Sequence, residues 1–87
     1  VTGVSQTKTD IDDKSYRQLV DAIMKEEIER HMITGAIKDK GPLTIGEISQ
    51  LTSIQPGKIV QHIIALRKNG ILTEVGEKDR QYLYQLV

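Results

Sequence analysis

The chain has 87 residues, of which twelve are Lys or Arg and twelve are Asp or Glu, so its formal net charge is zero. This length accommodates one small domain. The absence of Cys excludes a disulfide framework and a thiolate metal site. The longest aliphatic run is the four residues 63–66, far short of the roughly 20 apolar residues that cross a membrane. The balanced charge also argues against a strongly basic nucleic-acid binder.

Residues 1–12 have no apolar periodicity and are rich in Thr, Ser, Asp and Gly, which predicts a disordered leader. A helix is predicted to begin near Ser15, because Ser15 and Gln18 have the spacing of a capping box. Four apolar residues then recur at helical spacing. They form what we call the N-terminal stripe: Tyr16, Leu19, Val20 and Ile23. This stripe lies in an extra helical segment at 13–27, ahead of the remaining domain at 28–87.

A second set of apolar residues follows, also at helical spacing: Ile28, Met32, Ile33, Ala36 and Ile37. At about 100° per residue, its centre lies on nearly the opposite side from the N-terminal stripe. Either two helices meet near residues 25–27, or one long helix packs against different surfaces at its two ends. Gly41 and Pro42 predict where this helical region stops.

The next elements have clear start and stop signals. Thr44 and Glu47 form a second capping box, with Leu43 placed as a hydrophobic staple, and so predict a short helix. Pro56 suits the first turn of a further helix over 56–69, which Gly70 would cap. A hairpin is predicted over about 71–86, with strands at 71–75 and 80–87 and a turn at 76–79.

This order of elements resembles a winged helix-turn-helix domain. The matching segments are GPLTIGEI at 41–48, LTSIQP at 51–56, NGIL at 69–72 and the hairpin wing at 76–84, together with the buried stripe Ile59, Ile63 and Leu66. The chain is similar to the MarR-like and ArsR-like regulators of bacteria and archaea. The fold class we expect is mainly α with a small β-hairpin (α+β), a winged helix-turn-helix with an extra N-terminal helix.

The resemblance implies a transcriptional regulator, or its DNA-binding part, that binds double-stranded DNA in the cytoplasm. The helix at 56–69 would enter the major groove, and the wing near Arg80 would lie on the backbone or the minor groove. The candidate DNA-contacting residues are Gln55, Lys58, Gln61, His62, Lys68, Lys78 and Arg80. Gln61 suits adenine and Lys58 suits guanine or a phosphate. His62 is also interpretable as a packing residue, and Arg80 as a partner in an ion pair across the hairpin.

Two apolar residues depart from the family pattern. Val60 and Ile64 border the outward face of the third helix, where these families commonly place polar or basic residues. Either they widen the core stripe toward the N-terminal helix, or they form an apolar surface for a protein partner. The alternative function is therefore a protein–protein interaction domain of a larger protein or complex.

The N-terminal stripe has three interpretations. It pairs with its copy in a homodimer, which would place two recognition helices on two half-sites. It docks onto another part of a longer chain. Or it folds back and enlarges the core of this domain.

No enzymatic constellation is visible, so we expect no catalytic activity, no cofactor and no metal. His31 and His62 are the only histidines, and their spacing suggests no zinc site. Glu26, Glu27 and Glu29 are interpreted as a solvated helix face. With no apolar span, the membrane is not an expected partner.

Overall fold

The computed structural model describes residues 13–87, so the predicted leader at 1–12 lies outside the described residues. The elements are helices α1 (Asp13–Lys40), α2 (Ile45–Thr52) and α3 (Pro56–Lys68), followed by strands β1 (Leu72–Lys78) and β2 (Gln81–Leu86). The expected fold class, mainly α with a small β-hairpin, is confirmed by three helices and one antiparallel hairpin.

The first helical region is a single helix of 28 residues, which resolves the choice between one helix and two. At about 1.5 Å per residue it extends over about 42 Å. The helix includes Asp13 and Lys14, so Ser15 lies inside the first turn and is not the N-cap residue that the capping-box spacing predicted. A side chain inside the first turn does not have the extended backbone that an N-cap residue requires.

Helices α2 and α3 follow their local signals. The Thr44 hydroxyl accepts a hydrogen bond from the Glu47 amide, and the Glu47 carboxylate accepts one from the Thr44 amide, so the capping box is confirmed. Pro56 occupies the first turn of α3 as predicted. Ser53, in the connection between the two helices, has a φ of 63°. Its hydroxyl-bearing neighbour Thr52 accepts a hydrogen bond from the Ile54 amide and helps to close this turn.

The wing differs from its prediction. The turn is not at 76–79, because Gly76 and its neighbours belong to β1 and the turn residues are Asp79 and Arg80. A bulge between Glu74 and Gly76 accommodates the glycine inside the strand. Both turn residues have positive φ, 53° and 67°, as the two central positions of a type I′ hairpin turn require.

One aliphatic core holds the elements together. Its members are nine aliphatic residues and one tyrosine: Ile33, Ile37, Leu43, Ile48, Ile54, Ile59, Ile63, Leu66, Leu72 and Tyr84. The wing is attached to it through Leu43 and Tyr84, whose backbones exchange two hydrogen bonds of 3.1 and 2.9 Å. Of the second apolar set on α1, Ile33 and Ile37 are buried, whereas Ile28 and Met32 are exposed.

The N-terminal part of α1 lies outside the core of the described chain. None of residues 13–25 is buried, and Tyr16 and Ile23 are more than half exposed. The interpretation in which the N-terminal stripe folds back into this domain's core is therefore wrong. The stripe remains an apolar helix surface that faces solvent.

Candidate nucleic-acid interface

Helix α3 presents two distinct faces. Its buried face consists of Ile59, His62, Ile63 and Leu66. Because a residue advances about 100° around the helix, the opposite face is centred on Gly57, Gln61, Ile64 and Lys68, with Val60 at its edge. We call these five residues the outward face of α3.

The outward face is accessible. Gln61 and Lys68 are exposed, and Ile64 is 61% and Val60 40% exposed. The interpretation in which Val60 and Ile64 widen the core is therefore wrong. Gln55 lies just before the helix, and its side chain makes no capping hydrogen bond. The side-chain amide of Gln55 therefore does not cap the helix and faces solvent at the N-terminal end of α3.

His62 lies on the other side of α3, facing α1. It is 2% exposed, and its Nε2 lies 2.8 Å from Glu29 Oε1 and 3.2 Å from Glu26 Oε2. Arg30 Nε donates to His62 Nδ1 at 3.3 Å. A buried ring enclosed by three side chains of α1 has no surface left for a base. We therefore leave His62 out of the interface.

This cluster also corrects the reading of the acidic run. Glu29 has only 14% of its side chain exposed, and Glu26 is half-buried, so these two residues do not belong to a solvated face. Lys58 forms an ion pair with Glu26. The clue was present in the sequence, because Glu26 and Glu29 lie seven and four residues before Ile33, on the same face of α1.

The ligand atoms of Glu26, Glu29 and His62 lie within 4.8 Å of one another, close enough to consider a metal ion. An arginine only donates hydrogen bonds, so its contact with Nδ1 places the His62 proton on Nε2. That proton points at the carboxylates and occupies the nitrogen that would bind the ion. The cluster is thus satisfied as a hydrogen-bonded network.

The wing is fixed to the N-terminal end of α2. Lys78 Nζ lies 2.7 Å from Glu47 Oε2, and the Gly46 amide donates to Gln81 Oε1 at 3.2 Å. Lys78 and Gln81 are the strand residues directly beside the turn, so these contacts hold the tip end of the hairpin against α2. The two turn residues, Asp79 and Arg80, are exposed.

Arg80, unlike Lys78 on the same hairpin, has no ion-pair partner in the described chain. Within residues 13–87, the ion pairs involve Lys58, His62, Arg67 and Lys78, and no carboxylate of this region pairs with Arg80. Its left-handed backbone costs about 1–2 kcal/mol for a residue with a Cβ. A glycine would avoid this cost. The type I′ turn imposes this conformation, and it places Arg80 at an exposed position with no carboxylate partner in residues 13–87.

The ion pairs shift three pKa values. The hydrogen bond from Lys58 lowers the pKa of Glu26, and that from Lys78 lowers the pKa of Glu47, with the Thr44 amide adding to the second effect. The hydrogen bond to Glu47 raises the pKa of Lys78. Lys58 and Lys78 are therefore already neutralised by carboxylates of this chain.

Replacing Glu47 with glutamine should destabilise the domain at neutral pH but not in acid. A lowered carboxylate pKa stabilises the fold above the ordinary value of 4.5, and this contribution disappears as the pH falls through the folded-state pKa. Glutamine keeps the capping geometry and removes only the charge. Urea unfolding at several pH values measures the difference in unfolding free energy between the natural chain and the Glu47→Gln variant. Glu77→Gln, next to Lys78 on β1, is the control. A difference in unfolding free energy between Glu47→Gln and the natural chain that stays the same at low pH would contradict the assignment.

Three helices, with α2 and α3 in helix-turn-helix order and a hairpin behind them, define a winged helix-turn-helix domain. The structure is similar to the crystal structure of the apo-Zalpha of zebrafish PKZ, with a TM-score of 0.67 and 16% sequence identity over 72% of this chain and 97% of that chain. This similarity establishes the fold.

The profile of the bacterial regulatory protein, arsR family, matches residues 29–74, which is more than half of the chain. The chain belongs to this family and is a winged-helix domain of the DNA-binding class. Of the two resemblances drawn from the sequence, the ArsR-like one is thus confirmed, and the MarR-like one receives no support. The search of curated proteins found no match. Within residues 13–87, no helix is long and apolar enough to cross a bilayer.

Proposed function

We propose that this chain is the DNA-binding unit of a transcriptional regulator, with α3 in the major groove and the tip of the wing on the backbone or in the minor groove. The observation that carries the proposal is the pairing of an accessible outward face on α3 with an unpaired, exposed Arg80. In this arrangement Gln55 and Gln61 offer amides to base edges, and Lys68 contacts a phosphate.

The other predicted contacts have weaker support. Lys58 and Lys78 would have to exchange a carboxylate of this chain for a phosphate. Arg67 lies 3.4 Å from Glu74. Two basic side chains, Lys68 and Arg80, are therefore free to neutralise DNA. The affinity of one chain should be weak and sensitive to salt.

We also propose that two copies bind together through the N-terminal stripe. Tyr16, Leu19, Val20 and Ile23 offer an apolar helix surface with no cover from residues 13–87. A dimer would bury it, double the phosphate contacts and place two α3 helices on two half-sites. The proposed role places the protein with the DNA, which in a bacterium is in the cytoplasm.

A salt titration of binding to duplex DNA tests the DNA contacts. The logarithm of the affinity should fall with the logarithm of salt with a slope of about −2 for one chain and about −4 for a dimer. Arg80→Ala and Lys68→Ala should each reduce the slope by about 1 per chain. Lys38→Ala, in the last turn of α1 and outside α3 and the wing, removes the same charge and serves as the control. Equal slopes for all variants, or no binding at low salt, would refute the DNA contacts.

A protein partner is the second candidate function. The exposure of Val60 and Ile64 favours it, since a large aliphatic side chain in solvent is typical of an interaction surface. Under this alternative, substitution of Ile64 would abolish partner binding, and DNA would not compete for the same surface.

A further inference from the structure

The outward face of α3 has a chemistry that distinguishes one type of base pair. Guanine is read most often by Arg or Lys, which donate two hydrogen bonds to its O6 and N7. On α3, Lys58 is paired with Glu26, Arg67 lies near Glu74, and Lys68 is the last residue of the helix. Lys68 is thus the free cation of α3 and lies at its C-terminal end, and residues 57–64 offer no unpaired cation for guanine.

The same face has two groups suited to A·T pairs. An amide such as that of Gln61 donates to adenine N7 and accepts from adenine N6. An apolar side chain contacts the C5-methyl group of thymine, a feature that no other DNA base carries in the major groove. Ile64 is 61% exposed, and Val60 beside it is 40% exposed. Both are available for this contact.

The spacing of these residues allows them to act together. Residues three apart on a helix have neighbouring side chains, about 5–6 Å between their Cβ atoms. Gln61 and Ile64 are related in this way. That separation is of the order of the rise between neighbouring base pairs, about 3.4 Å along the duplex.

We propose that α3 selects consecutive A·T pairs, with Gln61 reading adenine and Ile64 packing on a thymine methyl group. The inference rests on the proposed DNA-binding function and adds the base preference. It also explains why an aliphatic residue is exposed at the position where a polar or basic one was expected. In this account the apolar surface is part of the DNA interface.

Replacement of single thymines by deoxyuridine tests the inference, because this change removes only the methyl group and keeps the base pairing. The full chain is first used to select duplexes from a random pool, and binding to the selected duplex is then measured by fluorescence anisotropy. Burying one methyl group corresponds to about a fourfold change in affinity. We expect loss of about this size at one or two positions in each half-site.

Ile64→Ala supplies the second arm. This variant should bind the thymine duplex at least about fourfold more weakly than the natural chain does. It should also no longer distinguish thymine from deoxyuridine. Leu51→Ala, an exposed aliphatic residue on α2, is the matched control and should retain the distinction. Because Ile64 faces solvent, its replacement should leave the unfolding transition unchanged.

The outcomes separate the two proposals. Binding to duplex DNA with no base preference, a selected site built on G·C pairs, or no deoxyuridine effect would overturn the base preference and leave the DNA-binding function standing. Absence of binding to every duplex would overturn both, and Ile64 would then be assigned to a protein partner.

Discussion

A chain in which leucine replaces His62 should unfold with a free energy about 2–3 kcal/mol below that of the natural chain. The imidazole is 2% exposed and contacts Glu26, Glu29 and Arg30. Leucine has a similar volume but leaves the Glu29 carboxylate and the Arg30 guanidinium without their shared partner, whereas Glu26 keeps its ion pair with Lys58. The loss of these hydrogen bonds, and not a cavity, would cause the effect.

Urea unfolding followed by circular dichroism measures this change. His31→Leu is the control, because His31 lies on the exposed side of α1 and its replacement should change stability by less than about 0.5 kcal/mol. If the two leucine variants are equally stable, the network between α1 and α3 does not stabilise the fold. If His62→Leu weakens DNA binding under conditions in which the variant is fully folded, the imidazole lies closer to DNA than its burial indicates.

Introducing a charge into the N-terminal stripe should have the largest effect on DNA binding. Ile23 is 54% exposed, so Ile23→Glu should leave the fold of each chain intact while placing a carboxylate in the proposed dimer contact. If two linked half-sites are bound together, loss of the dimer should weaken binding to a two-site duplex by about 100-fold.

Light scattering measures the oligomeric state, and fluorescence anisotropy on the same samples measures DNA binding. Gln18→Glu adds the same charge to the same part of α1, on a different face, and should keep the dimer. A natural chain that is monomeric at all concentrations would contradict the proposal directly. A dimer that survives Ile23→Glu would place the contact elsewhere on the molecule.

Local signals predicted most of the fold. Thr44 with Glu47, and Pro56 with Gly70, set the bounds of α2 and α3, because caps and fixed backbone angles act within one turn of the chain. The hairpin was predicted, but its turn was misplaced. Gly76 was read as a turn residue, whereas the bulge places it within β1 and the positive φ angles fall on Asp79 and Arg80.

The candidate site was less predictable, because burial depends on which side of a helix finds a partner. Glu29 was read as part of a solvated face, and His62 either as a DNA contact or as a packing residue. Each is accommodated in the structure because the other faces it between α1 and α3. Ile64 shows the opposite case. An aliphatic residue next to the core stripe was compatible with burial, and only the orientation of α3 against α1 shows that it faces solvent.

Mapping of amide chemical shifts on addition of duplex DNA to the full chain tests the central claim most directly. We predict that the perturbed amides concentrate on Gln55, Gln61, Ile64 and Lys68 and at the wing tip around Arg80, and that they diminish as salt is raised. Amides on the inward face, such as His62, should change little. Perturbation confined to α1, or none on the outward face of α3 at low salt, would contradict the claim that this face and the wing bind DNA.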